Sequence, residues 1–85
     1  MGASGLHSPN YRRLCELLRR WRAEASLTQR ALAKRLRKPH SYVHKTEVGE
    51  RRIDPLEFIA WCAACGREPS ESIAEVRRDA LRGRA

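Results

Sequence analysis

Eighty-five residues carrying a net charge of +8 and only five aromatic side chains make one domain with a single thin core. No apolar run approaches the roughly 18–20 residues that span a bilayer, and the opening MGASGLHS has neither the layout of a signal peptide nor, with Leu6 in place of Ser or Thr, that of a myristoylation site. A membrane role and a disulfide framework built on three cysteines are therefore not expected, and the reading is a cytoplasmic chain with residues 1–7 as a mobile arm.

The elements in chain order are all helical. Ser8-Pro9 is a cap followed by proline in the first turn, and Tyr11, Leu14, Leu17, Leu18, Trp21 and Ala25 recur at the helical period, with Arg12, Arg13, Arg19 and Arg20 opposite. Thr28 caps a short second helix holding Leu32, Ala33 and Leu36. Pro39 cannot continue it but suits the first turn of a third, which Gly49 ends. Asp54-Pro55 starts a fourth helix, with Phe58, Ile59, Cys62 and Cys65 on its inner face and Trp61 beside them. Pro69-Ser70 starts a fifth with Ile73, Val76 and Ala80. The expectation is an all-α bundle of five helices over residues 8–82, fraying at 83–85.

The charge is unevenly placed. Residues 28–52 carry eight Lys and Arg against two Glu, whereas residues 53–85 carry five Arg against six acids. A basic middle is the footprint of a polyanion binder, although a solvated surface produces the same count. The third helix narrows the choice. Val43 is its one strongly apolar residue, while His40, Ser41, His44 and Lys45 fan across an exposed face. Two short helices joined tightly at Leu36-Arg37-Lys38, the second polar and outward, make a helix-turn-helix, whose second helix fits the major groove.

The segment LTQRALAKRL, then four residues, then SYVHKTEVGERR resembles the Xre/Cro helix-turn-helix family of phage and bacterial repressors. Leu27, Thr28, Gln29, Leu32, Ala33, Leu36, Val43, Glu47 and Gly49 match that family's pattern in order and spacing. The resemblance implies a lambda-repressor-like fold and a transcriptional regulator, expected to be a repressor, bound to a palindromic double-stranded DNA operator as a homodimer. It implies base contacts by His40, Ser41, Lys45 and, as a neighbour, His44. It implies phosphate contacts by Thr28, Gln29, Lys38, Tyr42, Arg51 and Arg52, and a structural bridge between Arg22 and Glu47. Three departures stand out: Ser26 where glycine is usual, so that the turn is expected to form without positive φ; Pro39 in place of a Ser or Thr cap; and Thr46 in place of an apolar residue, thinning the core.

Other readings compete at particular residues. His40 and His44 have the spacing of a two-ligand metal pair, but a zinc site needs three or four ligands, so no metal is expected. Cys62-Ala-Ala-Cys65 has a redox spacing, yet both cysteines fall on the core face and read as small buried fillers. No nucleophile–base pair, cofactor motif or small-molecule site emerges, and an enzyme is not expected. The apolar stripe of Ile73, Val76, Ala80 and Leu81 is the expected dimer contact. The rival reading is an antitoxin or adaptor that binds a protein partner as well as its own promoter.

Overall fold

The computed structural model describes residues 8–81; the expected arm at 1–7 and the end at 82–85 lie outside the described residues. Five helices form, and among the described residues there is no strand: α1 Pro9–Glu24, α2 Gln29–Leu36, α3 His40–Glu47, α4 Pro55–Ala64 and α5 Pro69–Leu81. Three starts are capped by a side-chain oxygen, which satisfies an amide that the first turn leaves free. Ser8 Oγ accepts from the Tyr11 amide at 3.1 Å, Thr28 Oγ1 from Ala31 at 3.0 Å and Asp54 Oδ1 from Glu57 at 2.8 Å. Glu57 returns the bond by accepting from the Asp54 amide at 3.0 Å, completing a capping box. At α3 the cap position belongs to Pro39, which makes no side-chain bond and stands before the first turn instead of inside it.

Four helix ends close by one device, a left-handed residue followed by an amide that bonds five residues back. Gly49 (φ 85°) and Gly66 (φ 73°) do this for α3 and α4, letting the Glu50 amide reach Lys45 O at 2.9 Å and the Arg67 amide reach Cys62 O at 2.9 Å. Ser26 (φ 61°) and Arg37 (φ 58°) do it for α1 and α2, with Leu27 N to Arg22 O at 3.2 Å and Lys38 N to Ala33 O at 3.0 Å. The turn before α2 thus uses positive φ after all, on a serine. The closing backbone bonds hold Ser26 in a region that costs an L-residue roughly 1–2 kcal/mol.

The core gathers Leu17, Leu18 and Trp21 of α1, Leu32 and Ala33 of α2, Tyr42 and Val43 of α3, and Phe58, Trp61, Cys62 and Cys65 of α4. Trp61 Nε1 donates to Leu18 O at 3.2 Å, and Phe58 meets Trp21 edge-on at 6.0 Å. Trp61 takes the inward position, and Ile59 turns outward, 49% exposed, contrary to the expected inner face. The phase of α5 also differs. Ser72 is fully buried, donating to Glu68 O at 2.9 Å and accepting from Arg67 Nε at 3.0 Å, while Ile73 is 53% exposed. Ion pairs from Arg13 to Asp79 and from Arg20 and Arg67 to Glu75 tie α5 to its neighbours. Cys15, Cys62 and Cys65 are free and buried. Burial pushes all three thiols up, Cys65 to about 11.

Candidate nucleic-acid interface

α2 and α3 pack on each other through the turn at Arg37 and Lys38, and α3 also rests on α1. At 100° per residue, α3 divides cleanly. Tyr42, Val43, Thr46 and Glu47 are buried, and His40, Ser41, His44 and Lys45 occupy the opposite arc, all exposed. The four side chains that the resemblance assigns to base reading are therefore brought together on one outward face.

The inner face is held by polar contacts as much as by apolar ones. Thr46 is fully buried and its hydroxyl donates to Tyr42 O at 2.7 Å, so the position is filled and satisfied instead of being a thin spot. Glu47 lies under α1. Arg22 Nε donates to its Oε2 at 2.6 Å, Arg22 Nη2 to Oε1 at 3.1 Å and Gln29 Nε2 to Oε1 at 2.9 Å. Arg22 Nη1 also donates to Leu27 O at 2.8 Å. One carboxylate thereby fixes α1, the start of α2 and the last turn of α3.

The six residues assigned to phosphates are arranged less uniformly. Thr28 is exposed with its oxygen serving as the α2 cap, and Gln29 is engaged with Glu47. Lys38 is exposed, its ammonium 5.3 Å from the Tyr42 ring, and the Arg52 guanidinium lies 4.0 Å over Tyr11. The Tyr42 ring, at 7% exposure, belongs to the core, tilted against Trp61 at 6.5 Å, and burial raises its phenol pKa. It sits on the face of α3 opposite the exposed arc. Arg51 is part-exposed and paired. Its Nη1 and Nη2 donate to the two oxygens of Glu57 at 2.9 and 2.7 Å, Nη1 also donates to Arg52 O at 3.0 Å, and the guanidinium stacks 4.7 Å over Tyr42.

One exposed residue escaped sequence reasoning. Val48, the C-cap of α3, is 53% exposed and falls in the same arc as Ser41 and His44. Its position immediately between Glu47 and Gly49 was the available signal. The four residues expected at a dimer contact all lie on α5, Ile73 and Leu81 exposed and Val76 and Ala80 half-buried. Among the described residues no three His, Cys, Asp or Glu side chains converge as metal ligands, and no helix is long and apolar enough to cross a membrane.

Two short helices at a tight turn, the second carrying an exposed polar and basic face braced by a buried ion pair, define a helix-turn-helix DNA-binding domain. A sequence model of helix-turn-helix domains matches residues 13–75. An XRE-family like protein from Pseudomonas syringae pv. tomato str. DC3000 shares the fold at a TM-score of 0.79 and 37% identity, over 89% of this chain and 93% of its own. No curated protein matches significantly in sequence. The chain belongs to the Xre-type helix-turn-helix family of DNA-binding regulators.

Proposed function

We propose that this protein is a sequence-specific transcriptional repressor that lays α3 in the major groove of double-stranded DNA. The division of α3 into a locked inner face and an exposed face of His40, Ser41, His44 and Lys45 carries the reading. Lys45 has the N–H donors for guanine O6 and N7, and the imidazoles donate or accept at base edges. Val48 adds an apolar contact of the kind that a thymine methyl group accepts. Thr28, Gln29, Lys38 and Arg52 hold phosphates. Replacing Lys45 or His40 by Ala should cost about 1–3 kcal/mol on the preferred site and relax discrimination at one base position. Arg52→Ala should weaken all sequences alike and flatten the salt dependence. Equal behaviour of the two classes in binding titrations contradicts base reading by α3.

The operator is read by two copies, because one such helix contacts few base pairs and half-sites lie about one helical turn apart. The contact surface is α5 with the adjoining groove of about 630 Å³, lined by Leu14, Ile53, Phe58, Ile59, Ile73 and Val76. Exposed apolar side chains favour a second copy there. α5 presents Ile73 and Leu81 to solvent beside that groove, 53% and 44% exposed. Sedimentation in the presence of operator DNA tests this: Ile73→Glu should leave a folded monomer with weakened binding, and an unchanged dimer refutes the surface.

A further inference from the structure

Arg51 stands two residues beyond the α3 glycine, in the basic run that the family resemblance assigns to phosphates. Its guanidinium is already committed. Glu57 takes two parallel N–H bonds from it at 2.9 and 2.7 Å, and the same side chain donates to Arg52 O at 3.0 Å. The guanidinium carbon Cζ lies 4.7 Å from the Tyr42 ring centroid, and Lys does not reproduce the two-pronged contact with Glu57. Glu57 is itself fixed, since its Oε1 also accepts from the Asp54 amide in the α4 capping box. At the other end, the Arg51 amide bonds Lys45 O at 3.2 Å and the Glu50 amide bonds the same oxygen at 2.9 Å, so the loop is folded back on the last turn of α3. One side chain therefore spans the recognition helix, the loop after it and the start of α4. Its charge is matched by a carboxylate, whereas Lys45, on the outward face of α3, is exposed.

We propose that Arg51 is a positioning residue, setting the angle of α3 against α4 through Tyr42 and Glu57 instead of holding a phosphate. The inference rests on the DNA-reading function above, and its own prediction has the opposite sign from the phosphate reading at Glu57. If Arg51 bound phosphate, Glu57 would compete with DNA for it, and Glu57→Gln would tighten binding. If Arg51 positions α3, Glu57→Gln weakens binding as Arg51→Gln does.

The experiment measures specific and non-specific DNA affinity against salt for wild type, R51Q, R51K, E57Q and the R51Q/E57Q pair, with R52Q as the phosphate-contact control. Each single variant should lose about five- to tenfold in specific affinity, the scale of one part-exposed fork pair with a stacked cation. Non-specific affinity and the salt slope should stay at wild-type values, R51K should not rescue, and the double variant should be no worse than a single one. R52Q should instead lower the slope of log K against log salt by about 0.9. Tighter binding by E57Q, retained affinity in R51K, or a slope lowered in R51Q overturns the proposal. Amide hydrogen exchange without DNA gives a separate reading: the end of α3 and the start of α4 should exchange faster in R51Q and E57Q. Unchanged exchange overturns the positioning role even if the DNA reading stands, and a wild-type protein without sequence preference refutes that reading while leaving the exchange result intact.

Discussion

Breaking the Arg22–Glu47 bridge one partner at a time should destabilise the protein more than replacing both together. Glu47 is only 2% exposed at its side chain and Arg22 13%. Glu47→Leu leaves Arg22 with Leu27 O alone of its three bonds and frees the Gln29 amide. Arg22→Met leaves a carboxylate under α1 with Gln29 as its single remaining donor. An uncompensated buried charge costs about 3–5 kcal/mol, whereas an apolar pair of similar volume is often neutral. A domain of this length has about 4–13 kcal/mol of total stability, so either single change removes much of it and lowers Tm by more than about 12 °C. The double variant R22M/E47L should recover most of the loss. Urea unfolding of the four proteins, followed by far-ultraviolet circular dichroism, gives the cycle. Single losses below about 1 kcal/mol that simply add in the double variant would refute the claim that this carboxylate locks α3.

Further outcomes follow from single residues. Ser26→Gly relieves a left-handed serine at φ 61° and should raise stability by about 0.5–1 kcal/mol in urea melts, the strain removed exceeding the added chain entropy; a loss contradicts the turn geometry. The Arg51 guanidinium and the Asp54 amide hold the Glu57 carboxyl down from 4.5 to about 2. Because the folded value is the lower one, this contribution is present above about pH 4.5 and lost as pH falls towards 2. Thermal melts across pH 2–6 should therefore show a steeper acid loss in wild type than in E57Q. Cys65, at about 11, is about one-thousandth thiolate at pH 8, so a thiol reagent should label it only after unfolding; rapid labelling of the native protein contradicts its buried placement.

The caps made much of this fold legible. Ser8, Thr28 and Asp54 each carry an oxygen placed to accept a first-turn amide, and the structure uses all three. The glycine ends of α3 and α4 were readable for the same local reason. Ser26 and Arg37 were not, because a backbone bond five residues back can impose positive φ on a residue that does not favour it. Helix phase was the other gap. On α4 and α5, Ile59 and Ile73 fit the helical period as well as Trp61 and Ser72 do, and only the packing of the neighbouring helices decides which of them faces inward. At the candidate interface the polar face of α3 could be read from Val43 and its neighbours. The roles of Tyr42 and Arg51 could not, since they depend on how the loop after Gly49 folds back to reach Glu57.

The central claim is that α3 reads base sequence. Selection of bound sites from a random pool of double-stranded DNA tests it most directly, at a salt concentration high enough to suppress non-specific phosphate binding. The expected result is an enriched two-fold symmetric motif with half-sites about one helical turn apart, and a Lys45→Ala protein that selects the same motif with one position in each half relaxed. A pool that emerges without an enriched motif, or a motif indifferent to Lys45, His40, Ser41 and His44, contradicts it.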